Sequence, residues 1–237
     1  MGRIFEKRKA TMFKRYAKMA KAFTKIGREI VMAVKTGGPN PDTNPRLRLV
    51  MQNAKAVNMP KTNVEAAIKR ASEKDSSNYE EVIYEGYAPH GVPVLVHCTT
   101  NNPTRTVASV RMYFNRANGA LGTNGSVSFM FEHKVMFKID ATGLSKDELE
   151  LELIDHGLEE LNVDEENNQF IIQTAFTDFG KMQSALEEKK INLIETSKVY
   201  IPTTLKELTP EQEAEVMAMI EKMEEDDDIE AVYHNIA

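Results

Sequence analysis

Apolar residues in the first 70 positions recur at intervals that are typical of amphipathic helices. The first series, spaced four and three residues apart, comprises Met12, Tyr16, Met19, Phe23, Ile26 and Ile30. It predicts a helix over 7–36 that Gly37-Gly38-Pro39 ends. Asn44-Pro45 supplies an N-cap and a first-turn proline for a second helix to about Val57, and a third helix follows Pro60. We therefore predict an N-terminal three-helix bundle over residues 1–76.

From Tyr79 the pattern changes to short runs that favour β-strands. Strands are predicted at 81–87, 92–100 and 125–132, with a helix at 104–117 before the last of them. These elements alone do not complete an α/β unit. The C-terminal segment can supply a further helix and a further strand. Thr209-Pro210 begins a helix there, and 229–236 has the composition of a final strand. The sequence thus predicts a discontinuous α/β domain formed by residues 77–133 plus 204–237.

The stretch between these two pieces has a complete pattern of its own. Residues 134–203 alternate in the order strand, helix, strand, strand, helix, strand. That β-α-β-β-α-β order is typical of a ferredoxin-like domain. The predicted fold class is therefore α+β and multi-domain, with a ferredoxin-like domain inserted into the α/β domain.

Charge is distributed very unevenly along the chain, although the net charge is only −6. Residues 1–75 hold 18 Lys and Arg against 6 Asp and Glu, a net charge of +12. Residues 76–237 hold 12 against 30, a net charge of −18. Such a contrast indicates that the basic part faces a polyanion, while the acidic remainder limits indiscriminate binding.

A helical wheel at 100° per residue concentrates the cations of the first helix on one face, opposite the apolar series. That face carries Lys7, Lys14, Lys18, Lys21, Lys25 and Arg28. Lysine-rich faces are often only solvated, but such faces usually mix Lys with Glu, and residues 1–36 contain only Glu6 and Glu29 against eleven Lys and Arg. We predict that this face binds nucleic-acid phosphates, and that Lys61, Lys69 and Arg70 on the third helix extend it.

A basic amphipathic helix is also typical of membrane-surface helices and of mitochondrial presequences. Here the apolar face has packing partners in the two helices that follow. No stretch approaches the roughly 20 apolar residues that cross a bilayer, and the basic start leads into no signal-type hydrophobic run. We therefore expect a cytoplasmic protein that does not bind membranes.

Motifs for catalysis, cofactors or metals are not found in the sequence. There is no phosphate-binding loop ending in Lys-Ser/Thr, no Gly-x-Ser-x-Gly elbow and no His-Glu-x-x-His helix. His97 and the single cysteine, Cys98, are adjacent on a strand and point to opposite faces. The acidic run at 224–228 lacks the spacing of a calcium loop and is interpreted as a solvated turn. We expect no enzymatic activity, no cofactor and no metal.

Six separated segments resemble the YebC/PmpR family. They are Asn44-Pro45-Arg46-Leu47-Arg48-Leu49, Asn58-Met59-Pro60-Lys61 with Ala67-Ile68-Lys69-Arg70, Tyr84-Glu85-Gly86-Tyr87, Asn102-Pro103 with Arg105-Thr106-Val107-Ala108, 125–131 and the closing 226–235. The opening Met1-Gly2-Arg3 lacks the His-Ser-Lys-Trp stretch of the commonest members and resembles a YeeN-like subgroup. The resemblance implies three domains: a helical bundle, an α/β domain and an inserted ferredoxin-like domain.

The resemblance also implies a role in gene expression and leaves the ligand open. Some members are described as DNA-binding transcriptional regulators, others as translational activators or ribosome-associated factors. The expected partner is therefore DNA, or a structured RNA such as ribosomal RNA, with the ribosome or other proteins as further partners. No base-reading recognition helix and no aromatic platform for RNA stands out in the sequence. A protein-interaction adaptor, in which the acidic inserted domain binds the partner, is the remaining alternative.

Overall fold

The computed structural model describes residues 3–73 and 78–237, with side chains from Met19 onward. Three helices open the chain and pack around one apolar cluster, to which Ile30, Leu47 and Val64 contribute. Asn44 connects the first two helices, because its side chain accepts from the Leu47 amide at 3.0 Å and donates to Ala33 and Gly38 carbonyls at 2.8 Å. The helices are α1 (Arg3–Gly37), α2 (Pro45–Ala56) and α3 (Lys61–Ala71).

The second part is a four-stranded sheet that the C-terminal segment completes. Its strands and helices are β1 (Glu80–Ala88), β2 (Val92–Thr100), α4 (Pro103–Arg116), β3 (Ala120–Leu121), α7 (Pro210–Glu224) and β8 (Ile229–His234). The strand order is β3-β1-β2-β8, and all pairs are antiparallel. Val96, Phe114 and Met223 belong to the cluster that joins this sheet to α4 and α7. The C-terminal strand therefore pairs with β2.

The remaining elements lie in sequence between the two pieces of that first sheet and form a second sheet. They are β4 (Phe131–Asp140), α5 (Lys146–Leu153), β5 (Leu158–Asp164), β6 (Gln169–Ala175), α6 (Phe179–Glu188) and β7 (Leu193–Pro202). The strand order is β5-β6-β4-β7, again antiparallel throughout. Both helices pack on one face, where Phe137, Leu153 and Met182 are buried in a separate cluster.

The predicted strand at 125–132 is wrong for most of its length. Residues 124–127 form a turn, Ser128–Met130 a single 3₁₀ turn, and the strand begins only at Phe131. The cause is Glu85, a buried carboxylate that accepts hydrogen bonds from the amides of Gly125, Val127 and Ser128 at 2.7–2.8 Å. These amides point at the carboxylate and cannot pair with a neighbouring strand.

The helices of the described residues include none that is long and apolar enough to cross a membrane.

Candidate nucleic-acid interface

The structure separates the predicted phosphate-binding cations into three groups. Lys7, Lys14 and Lys18 lie outside the described side chains, so their role stays a prediction. Lys21, Lys25 and Arg28 lie on the part of α1 that faces the first sheet. Lys61, Lys69 and Arg70 lie on α3, where all three are exposed.

The prediction that Lys25 and Arg28 lie on an open face of α1 is wrong. Lys25 donates to the carbonyl of Glu230 on β8 and lies 3.8 Å from its carboxylate. Arg28 donates to the carbonyls of Thr99, at 3.1 Å, and Asp227. Only 13% of the Arg28 side chain is exposed. A helical wheel treats α1 as an isolated helix. In the protein, the first sheet packs against the face of α1 that lies opposite its apolar residues.

Asp228 is the counter-ion of Arg28 and corrects the interpretation of the acidic run. Its buried carboxylate lies 3.4 Å from Arg28 and accepts from Arg105 at 2.6 Å and Thr106 at 2.9 Å. Burial alone would raise the pKa of Asp228, but the bonds from Arg105 and Thr106 and the Arg28 charge lower it below its usual value. The run 224–228 is therefore not simply a solvated turn, because its last residue connects α1 to α4.

Two glutamates on the same side of α1 are poorly solvated. Burial and the neighbouring Glu230 raise the pKa of Glu29 to about 7. Burial likewise raises the pKa of Glu230, although Lys25 opposes the shift. The Lys21 ammonium is buried and finds no hydrogen-bond partner among the described residues. These groups form a partly buried ionic layer between α1 and the first sheet, so they are not positioned to receive a polyanion.

The three cations of α3 are placed differently. The Lys61 side chain is 87% exposed and pairs with Glu65 one turn later at 3.6 Å. Lys69 and Arg70 are exposed near the end of the same helix. Because long cationic side chains on one exposed helix can follow a phosphate backbone, α3 is the described element that best fits the predicted interface.

A groove of about 730 Å³ runs between α1 and α3 beside these cations. Its walls carry the apolar residues Phe23 and Val31, and Arg70 and Asn63 contribute polar groups on the α3 side. Arg28 lies on the other side, with its guanidinium 5.4 Å from the ring centroid of Tyr79. Sequence reasoning missed Asn63 as a lining residue. Asn63 could have been identified from its position one helical turn before Ala67, on the side of α3 that packs against α1.

Arg46 on α2 belongs to an ion-pair cluster that is formed with residues of both sheets. Arg46 pairs with Glu81 of β1 at 2.7 Å, and Lys198 of β7 approaches the same carboxylate at 3.5 Å. A hydrogen bond from His97 and the charges of Lys198 and Arg46 lower the pKa of Glu81 to about 2, against the effect of burial. Arg46 is therefore engaged within the protein.

Asn53 adds a specific link between α2 and β7. Its amide donates to the Thr196 carbonyl at 2.9 Å and accepts from the Thr196 amide at 3.0 Å. Since β7 is an edge strand, this side chain occupies backbone groups that a further strand would otherwise use.

Features that would support catalysis are weak in the described part of the chain. No group of three or more His, Cys, Asp and Glu side chains within it could hold a metal ion. Cys98 is fully buried, and burial raises the pKa of its thiol to about 12. The thiolate, which is the reactive form, is therefore scarce at neutral pH.

Comparison with known proteins gives matches over nearly the whole chain. Residues 3–74 match the family model described as the TACO1/YebC protein N-terminal domain. Residues 79–236 match the model described as the TACO1/YebC second and third domain. A crystal structure of a conserved hypothetical protein from Aquifex aeolicus is similar, with a TM-score of 0.77 and 37% identity over 92% of this chain and 90% of that one.

Curated relatives agree with these matches in length and in name. A "probable transcriptional regulatory protein" of Cytophaga hutchinsonii is 55% identical over 100% of this chain and 99% of its own length. A protein of the same description from Flavobacterium psychrophilum is 53% identical, with the same coverage of both chains. The resemblance in the sequence motifs is confirmed, and the chain belongs to the TACO1/YebC family.

Proposed function

We propose that this chain is a cytoplasmic regulator of gene expression that acts by binding nucleic acid and not by catalysis. The printed names of its relatives support the regulatory role. The observation that carries the binding proposal is the exposure of Lys61, Lys69 and Arg70 on one helix, inside a segment whose net charge is +12. Lys7, Lys14 and Lys18 extend the proposed interface along α1.

We further propose that the chain is organised as three domains, with the ferredoxin-like one inserted into the α/β domain. Three of the four apolar clusters support this division, one among α1 to α3 and one beneath each sheet, whereas the small fourth cluster around Leu95, Val127 and Phe131 lies where the two sheets meet. The β-α-β-β-α-β order and the β5-β6-β4-β7 arrangement of the second sheet support the ferredoxin-like assignment. In this arrangement the basic helices are fixed to the α/β domain by Lys25 and Arg28.

Charge reversal on α3 tests the binding proposal. The variant Lys61→Glu, Lys69→Glu, Arg70→Glu removes three proposed phosphate contacts, and we expect at least a tenfold loss of affinity for a duplex DNA or a structured RNA hairpin. The matched control reverses Lys146, Lys181 and Lys222, three exposed lysines on α5, α6 and α7 that have the same formal charge. Equal affinities of the two variants for both nucleic acids, with unchanged circular dichroism, would defeat the proposal.

Structured RNA is the second candidate ligand. The exposed residues of α3 are the three cations with Thr62, Asn63, Glu65 and Ala66. With Asn63 as the single amide side chain among them, this composition favours phosphate contacts over the reading of base edges. Binding of that kind depends on shape and suits ribosomal RNA as well as an operator. Crosslinking in cells followed by sequencing separates the two: discrete promoter peaks support a transcriptional role, and a recovery dominated by ribosomal RNA supports a translational one.

A protein-interaction adaptor is favoured by one observation on the second sheet. Residues 147–166 hold ten Asp and Glu and no Lys or Arg. In that stretch Leu151, Ile154 and Val163 are exposed apolar side chains. If this surface carries the function, Leu151→Ser with Ile154→Ser will abolish the regulatory effect in cells and leave nucleic-acid affinity unchanged. An unchanged regulatory effect would exclude the adaptor.

A further inference from the structure

Three aromatic rings form a row across the second sheet. His133 on β4 lies opposite Tyr200 on β7, and Phe176 directly follows β6, the strand on the other side of β4. The rings of His133 and Tyr200 are 4.5 Å apart and 6° from parallel, and those of His133 and Phe176 are 4.1 Å apart and 14° from parallel. No signal in the sequence links the three positions, because only strand pairing brings them together.

The two ends of this aromatic row differ. At one end, Tyr233 of β8 meets Tyr200 edge-on at 5.3 Å and closes the row inside the protein. At the other end, Phe176 remains 40% exposed. This exposure remains although His133 stacks on one face of the Phe176 ring. A flat ligand can extend the row only at Phe176.

The row is uncharged at neutral pH. Burial and the nearby charges of Lys198 and His97 lower the pKa of His133, so its ring is a neutral imidazole. A neutral imidazole places no charge of its own against Phe176, whose π surface can stack on another aromatic group. The ligand chemistry that fits is a flat, neutral heteroaromatic ring.

Cations lie beside the open end of the row. The Lys198 ammonium lies over the Phe176 ring, 5.8 Å from its centroid. Lys198 and Arg46 share the single carboxylate of Glu81, at 3.5 Å and 2.7 Å. Two cations thus face one carboxylate of low pKa, with Glu29 nearby, on the side where the basic helices pack. A group that carries both an aromatic ring and a phosphate matches this pairing.

We propose that Phe176 is a stacking site for an unpaired base of a single-stranded nucleic acid, with Lys198 close to the phosphate of that nucleotide. The proposal rests on the proposed nucleic-acid function and adds a ligand class to it, since bases inside a duplex do not expose their faces. Stacking on an aromatic side chain is sequence-tolerant, because every base has a π face. Loss of one such contact lowers affinity by roughly tenfold.

The chain contains no tryptophan, so Phe176→Trp introduces a single fluorescent reporter at the site. We expect a ten-residue oligouridylate or oligothymidylate to quench this tryptophan strongly. An abasic oligomer of the same length, which keeps the phosphates, should quench it little. Leu151→Trp, at an exposed position on α5, is the matched reporter and should respond to none of the three oligomers. Comparing the RNA and DNA oligomers shows which polymer the site prefers.

The outcomes separate this inference from the function it rests on. If an oligomer binds, as measured by anisotropy, and the emission of the Phe176→Trp variant stays unchanged, the stacking site is wrong and the nucleic-acid function stands. If no DNA or RNA of any kind binds, both fail. A second variant, Phe176→Leu, should lose about tenfold in affinity for the single strand and none for a duplex. Equal effects on the two ligands would also overturn the stacking site.

Discussion

Replacing Asp228 with alanine removes the carboxylate that joins α1 to the first sheet. In the folded protein this carboxylate receives Arg105 at 2.6 Å, Thr106 at 2.9 Å and Thr100 at 3.2 Å, and it faces Arg28 at 3.4 Å. The loss in the free energy of unfolding depends on whether each of these partners finds water or another acceptor when the carboxylate is absent.

The partners of Asp228 differ in the hydrogen bonds that remain available to them. Arg105 is 55% exposed and returns to water. The Thr106 hydroxyl lies 2.8 Å from that of Thr100 and 3.1 Å from the Asn102 carbonyl, so the two hydroxyls keep other partners. Arg28 is enclosed and retains two backbone carbonyls and the Tyr79 ring, but no carboxylate. Leaving one enclosed charge without its counter-ion sets a cost of about 2–4 kcal/mol in the free energy of unfolding.

Urea denaturation at pH 7 measures this cost. Asp227→Ala is the matched control, because the side chain of Asp227 is exposed. For this control we expect the free energy of unfolding to change by less than about 0.5 kcal/mol. Since the folded-state pKa of Asp228 is lowered, its contribution is present above the unfolded pKa near 3.9 and is lost as the pH falls below that value. If Asp228→Ala costs no more than Asp227→Ala, the assignment of Asp228 as the link is refuted.

Three further outcomes follow from single contacts. Glu85→Gln should cost about 2 kcal/mol in urea denaturation, because the neutral amide cannot accept from all three amides of the 125–128 turn; a change below about 0.5 kcal/mol would contradict this. Asn53→Ala should speed hydrogen exchange at the Thr196 amide about tenfold or more, and unaltered exchange would show that the α2–β7 link is not persistent. Glu29→Gln should leave stability unchanged at pH 4 and raise it at pH 8. The reason is that the raised pKa of about 7 makes wild-type stability fall as pH rises from about 4.5 through 7; equal pH profiles would disprove it.

Much of the fold follows from local pattern. The caps and apolar periodicity of 44–71 locate α2 and α3 closely, because Asn44, Pro45 and Pro60 act within a few residues of where they stand. The order of strands and helices in the second sheet also follows from the pattern of residues 134–203, because that pattern too is local in the sequence. The turn at 124–127 was missed because its cause, Glu85, lies about 40 residues earlier in the chain.

The candidate interface was less predictable than the fold. A helical wheel places cations relative to the helix axis and says nothing about what packs on each face. Lys25 and Arg28 share a wheel position with Lys18 and Lys21, but β8 and the acidic run cover them. The sequence-based prediction treated Lys61, Lys69 and Arg70 as an extension of the α1 face, yet among the predicted cations with described side chains they are the exposed ones. The aromatic row depends on strand pairing and had no sequence signal.

The contacts of α1 and α2 with the two sheets assign a structural role to part of the basic segment. Lys25 and Arg28 hold α1 against β2 and β8, and Asn53 holds α2 against β7. The N-terminal helices are thus fixed to both sheets in the described structure. Cations that remain exposed on α3 are then presented on a rigid support, which favours recognition of nucleic-acid shape.

The salt dependence of nucleic-acid binding tests the central claim most directly. Each phosphate contact adds roughly 0.7–0.9 to the slope of log affinity against log salt concentration. The variant with Lys61, Lys69 and Arg70 reversed to Glu should therefore show a slope shallower by about 2–3 than wild type, while the variant with Lys146, Lys181 and Lys222 reversed should keep the wild-type slope. The same slope in all three proteins would contradict the claim that α3 contacts the phosphates.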